Sequence, residues 1–101
     1  MGAIKSIKEQ VKEACTNLKN AMFWYKEAVQ DYEKADACGF VSEADVHEFM
    51  SEMISRRSDV RERLRACSEL LGIGFWPSDI NAAYSEMVAK CNMILEMLSK
   101  V

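Results

Sequence analysis

Phe23-Trp24-Tyr25 and the pair Arg56-Arg57 are the residues of this chain whose types could combine into a chemical site. Aromatic faces stack flat rings, and arginine forks grip phosphate or carboxylate in bidentate geometry. If the two segments meet, they define a place for a small anionic or nucleotide ligand. A plainer reading competes with it. The rings would be interface core, and the arginines would pair in solvent with Glu52, Asp59 and Glu62. Exposed helical ion pairs are ordinary, and aromatics mark oligomer interfaces. A longer basic run, Arg56, Arg57, Arg61, Arg63 and Arg65, places Arg57, Arg61 and Arg65 four residues apart on one face, a spacing that could track a phosphate backbone. Asp59, Glu62 and Glu69 interrupt it and the net charge is −3, which argues against nucleic acid as partner.

Other chemistry finds little footing. The chain has a single histidine, His47, with Glu43, Glu48 and Glu52 nearby, and no paired ligand motif, so no metal site is expected. Four cysteines, Cys15, Cys38, Cys67 and Cys91, are scattered without a C-x-x-C pair. Cys67 and Cys91 fall on apolar stripes, where cysteine acts as a small hydrophobe. Without a nucleophile motif, a phosphate-cradling glycine loop or paired buried carboxylates, neither an enzyme nor a cofactor is expected. The start, Met1-Gly2-Ala3-Ile4-Lys5-Ser6, fits the pattern for N-myristoylation.

The elements that must position these residues are helical. Ile4, Val11, Leu18, Tyr25 and Tyr32 recur every seven residues, with Ile7, Ala14, Ala21, Ala28 and Ala35 between them. That spacing keeps one stripe of a helix facing a partner, a coiled-coil-like seam. The seam breaks at Ala21-Met22-Phe23-Trp24-Tyr25, which is apolar all round and so calls for a second partner or a ligand. The spacing predicts helices over about 3–36, 43–71 and 79–100. Gly39 supplies the first stop, and Ser42 caps the second helix with Val41 and Val46 as a hydrophobic staple. Gly72-Ile73-Gly74-Phe75-Trp76-Pro77 is the second break, with Ser78 or Asp79 as the next cap.

Short connections favour antiparallel neighbours, so residues 1–101 are expected to form one all-α domain, an up-down-up three-helix bundle with a long hairpin. Folding about Gly39 brings Trp24 level with Ser55 and Arg56. The Phe75-Trp76 loop should plug the bundle end beside Ile4 and Ile7. The hairpin tip should project past the shorter third helix, leaving Val29, Tyr32, Phe49 and Met50 uncovered. With the alanine seam at Ala21 and Ala28, this favours a homo-oligomer. Composition agrees with a folded domain: half of the 101 residues are apolar and 29% are charged. No apolar run reaches the ~20 residues of a membrane span, and no secretory signal is visible. A reduced, cytoplasmic setting without a membrane partner follows.

The stretch Thr16-Asn17-Leu18-Lys19-Asn20-Ala21-Met22-Phe23-Trp24-Tyr25-Lys26-Glu27-Ala28 resembles a hairpin helix of small phage anti-defence proteins that sequester nucleotide immune signals. The resemblance lies in a threonine, leucine, alanine, tryptophan, alanine pattern and covers about an eighth of the chain. Glu27 stands where that family has a lysine, and Lys26 precedes it. The resemblance implies an oligomer that binds a nucleotide without turning it over. Two readings therefore stand: a non-enzymatic helical protein that binds a protein partner as adaptor or inhibitor, and a nucleotide-sequestering binder using Phe23, Trp24, Tyr25, Arg56 and Arg57.

Overall fold

A computed structural model describes residues 5–39 and 42–100. Gly2 of the acylation pattern, Ile4 of the seam and Val41 of the staple lie outside those residues. Three helices follow one another: α1 (Ile7–Cys38), α2 (Glu43–Leu71) and α3 (Ile80–Ser99). Each begins at a side-chain cap. The Ser6 hydroxyl accepts from the Glu9 N–H at 3.2 Å, so α1 starts later than the apolar stripe alone suggests. Ser42 does the same for Asp45, also at 3.2 Å, and donates to its carboxylate at 2.9 Å. Asp79 caps α3 through the Asn81 N–H. The first two helices end on glycine in the left-handed region, Gly39 at φ 74° and Gly72 at φ 70°. At the second, the Gly72 and Ile73 N–H groups both turn back to the Ser68 carbonyl, closing the helix end.

α1 and α2 form the hairpin, and its register matches the folding about Gly39. The Cys67 thiol donates to the Ala14 carbonyl at 3.6 Å, and Arg56 lies over Trp24. α3 departs from the expected up-down-up order. Its Cys91 thiol meets those of Cys15 and Cys67, while its Tyr84 lies under the Lys26 ammonium, 5.8 Å from the ring centre. Moving along α3 from Tyr84 to Cys91 therefore means moving down α1 from Lys26 to Cys15. Had α3 run parallel to α1 through the same Cys15–Cys91 contact, Tyr84 and Lys26 would sit about 27 Å apart along the bundle. The order is up-down-down, with α3 opposed to α1 and pointing the way of α2.

The connection makes this possible. Eight residues from Gly72 to Asp79 separate the helices, and extended chain covers about 26 Å in that length. The loop climbs back along α2, so that Gly74, Phe75, Trp76 and Ser78 lie beside Arg61 and Arg65. The expected plug at the bundle end is not formed. Phe75 is 84% exposed and Ile7 is exposed as well, while Trp76 and Ile73 are half-buried against the core.

That core is one contiguous cluster. α1 contributes Val11, Cys15, Leu18, Ala21 and Met22, α2 contributes Val60, Leu64 and Cys67, and α3 contributes Ile80, Ala83, Met87 and Cys91. The α1 stripe thus runs through Cys15 and Met22, not only through the seven-residue positions. Above Met22 and Val60 the cluster ends. Towards the tip, among the described residues, only Ala28 and Ala35 are buried, small enough to let α1 and α2 close on each other. The projecting tip expected from the helix lengths is present, and the Cα extents of 57 × 34 × 20 Å reflect it. Ala21 and Ala28 are 5% and 6% exposed within the chain's own packing. Neither is available to a second copy, which corrects their assignment to self-association.

Candidate functional site

The aromatic segment of α1 divides as soon as the helix packs. Met22 points into the core, and Tyr25 is half-buried against it. Phe23 and Trp24 point outward, 55% and 53% exposed, with their ring centres 5.1 Å apart at an interplanar angle of 83°. This edge-to-face contact sets the positive edge of one ring against the negative face of the other and holds the two as a unit. Tyr25 therefore does not belong to the exposed pair.

α2 supplies the opposite wall. The Arg56 guanidinium carbon lies 5.8 Å from the Trp24 ring centre, in cation–π range. Its Nε donates to Glu52 Oε1 at 2.7 Å, one helical turn earlier. A crevice of about 220 Å³ runs between the two helices here, lined by Trp24, Glu27, Ala28, Asp31, Glu52 and Arg56. Arg57 is exposed and does not line it. Trp24 and Arg56 are brought together as the residue types suggested, but the company they keep changes the chemistry. Three carboxylates surround one arginine that already serves one of them. Such a crevice repels anions and favours a cation, whose charge could rest on the Trp24 face and against Glu27, Asp31 or Glu52.

Of the residues assigned to self-association, Val29, Tyr32 and Met50 are half-buried, and Phe49 is exposed at 37%. Phe49 borders a shallow hollow with Asp31, Lys34, Ala35 and Cys38. His47 is exposed.

A second meeting of arginine with aromatic rings was not expected from the sequence. Arg61 and Arg65 from α2 and Gly74, Phe75, Trp76 and Ser78 from the loop line a pocket of about 460 Å³. No carboxylate lines it. The spacing of Arg61 and Arg65 marked a shared face, but only the climbing path of the loop puts rings beside that face, and residue spacing does not reveal it.

The thiols form the third cluster. Burial pushes Cys67 above its usual range and Cys91 up to about 12, where the neighbouring Cys67 and Cys15 thiols add to the effect. Both stay protonated and unreactive at neutral pH. They serve as small core residues.

The fold and the site together describe an all-α three-helix chain with an exposed Phe23–Trp24 pair, whose Trp24 borders a crevice carrying Glu27, Asp31, Glu52 and Arg56. No family model, curated protein or solved structure matches the chain.

Proposed function

We propose that this chain is a non-enzymatic binding protein that docks a basic partner protein on its Phe23–Trp24 face, as an adaptor or an inhibitor. The observation that carries the reading is the exposed edge-to-face pair itself. Two large rings, each more than half in solvent, are held side by side, and Trp24 borders a crevice with Glu27, Asp31 and Glu52. Aromatics clustered on a rigid helix are the usual anchors of protein interfaces, because they bury much area while losing little rotamer freedom. The acidic ring selects a partner with lysine or arginine beside its apolar residues, and it speeds encounter with such a partner.

The protein acts as an oligomer in the cytoplasm, with its alanine seam closing the hairpin in coiled-coil fashion. Self-association runs through the two-helix tip, where Val29, Tyr32, Phe49 and Met50 lie above the end of the core cluster. The competing reading, a nucleotide-sequestering protein of the anti-defence kind, draws on the Trp24–Arg56 approach. Against it, the same crevice would hold a phosphate among three carboxylates.

A photo-crosslinking residue placed at position 23, with another at the exposed Lys12 as control, tests the docking face in the native cell. The expected result is an adduct with a discrete protein at position 23 only, lost when Glu27 and Glu52 are changed to lysine. Adducts that are equal at both positions, or that persist in the lysine variant, would overturn the reading.

A further inference from the structure

We propose that the pocket between α2 and the α2–α3 loop binds a nucleoside phosphate, its base against Phe75 and Trp76 and its phosphate on Arg61 and Arg65. The proposal is independent of the docking face, which lies elsewhere on the hairpin. Its first support is the state of the two arginines. Among the described residues, Arg56 is held by Glu52 and stacked near Trp24, whereas Arg61 and Arg65 are neither in an ion pair nor over a ring. Two guanidinium groups one helical turn apart therefore face a hollow without a carboxylate to neutralise them, on a chain whose net charge is −3. Residues four apart on a helix are neighbours, so both forks can reach one anion.

The second support is the opposite wall. Trp76 is half-buried against the core and so fixed in place. Phe75 beside it is 84% exposed, the most exposed large apolar side chain among the described residues. A fixed ring next to a free ring is a stacking platform with a movable cover, and such faces hold any base. Ser78 adds a hydroxyl at the rim, and nothing approaches the Gly74 Cα within 4 Å of where a side chain would begin, so that edge of the pocket is open. The volume of about 460 Å³ falls within the range of small-molecule sites. Arginines alone would suit any phosphate, and rings alone any flat molecule. Their facing each other across one hollow calls for a ligand that carries both.

The chain has two tryptophans, so a Trp24→Phe protein leaves Trp76 as the sole reporter. Adenosine monophosphate, adenosine and ribose 5-phosphate are titrated to millimolar concentration while Trp76 emission is followed. The proposal expects saturable quenching by adenosine monophosphate, with adenosine and ribose 5-phosphate each weaker on the order of tenfold. Arg61→Ala and Arg65→Ala should each weaken binding on the order of tenfold, and Arg57→Ala should leave it unchanged. If an alanine variant loses helix content by circular dichroism, Arg61→Lys takes its place, and it should bind more weakly than the parent because the charge stays and the fork is gone. Absence of saturable quenching, equal quenching by adenosine, or binding indifferent to Arg61 and Arg65 would each overturn the proposal.

Discussion

Replacing Phe23 and Trp24 together by alanine should leave the fold almost untouched, which is an unusual expectation for the removal of two aromatic rings. Both rings are more than half exposed, so the apolar area that goes back to water when they are cut away costs only about 1 kcal/mol for each. The edge-to-face contact disappears with both partners and accounts for about 1 kcal/mol. The Arg56 guanidinium over Trp24 belongs to a half-buried side chain still open to solvent and adds about 0.5–1 kcal/mol. Against these losses, alanine exceeds phenylalanine and tryptophan in helix propensity, returning about 1 kcal/mol over the two positions. The net loss is about 2–3 kcal/mol. Urea unfolding followed by far-ultraviolet circular dichroism measures it without relying on tryptophan emission. A loss of about 6 kcal/mol or more would mean that the rings are core residues, because that is the scale of two buried aromatic truncations. The surface reading would then fail.

Other outcomes follow from the same packing. Leu18, which is 0% exposed at the centre of the cluster, should cost about 2–5 kcal/mol on truncation to alanine, measured by the same unfolding assay. Gly72→Ala should destabilise by about 1–2 kcal/mol, since φ of 70° is unfavourable for any residue with a Cβ. Burial and the neighbouring Cys67 and Cys15 thiols hold the Cys91 thiol above its usual range, so the stability that depends on its staying protonated is complete at neutral pH. That stability falls as the pH rises through the alkaline range, because the unfolded thiol ionises first. Cys91→Ala should flatten that part of the stability curve, and an unchanged slope would show that the thiol is not held protonated. Sedimentation at micromolar concentration should give an oligomer that Phe49→Glu dissociates; a monomeric parent protein would show that the tip does not self-associate.

How much of this could be seen in the residues differs from one element to another. The caps at Ser42 and Asp79 and the glycine stops at Gly39 and Gly72 are local events, decided within a few residues, and the helix bounds followed from them. The Trp24–Arg56 meeting was also legible, because a tight hairpin fixes register by counting from its turn. The direction of α3 was not. Its loop follows the burial of Ile73 and Trp76 against a core built by all three helices, and no spacing within the loop encodes that choice. Once the loop climbs, Phe75 leaves the bundle end and arrives beside Arg61 and Arg65. The acidity of the Trp24 crevice was hidden for a related reason. Glu27, Asp31 and Glu52 come from two helices, and their convergence depends on which faces the hairpin turns outward.

A Phe23–Trp24 face that accepts a basic partner should bind a basic amphipathic peptide. That binding is tested most directly by Trp24 emission in a Trp76→Phe protein, titrated with an amphipathic helical peptide rich in leucine and lysine. A counterpart peptide with glutamate replacing each lysine serves as comparison. A saturable blue shift is expected with the lysine peptide, weakened by added salt and abolished by Glu27→Lys with Glu52→Lys, and no shift with the glutamate peptide. An equal response to both peptides, or none to the lysine peptide, would contradict it.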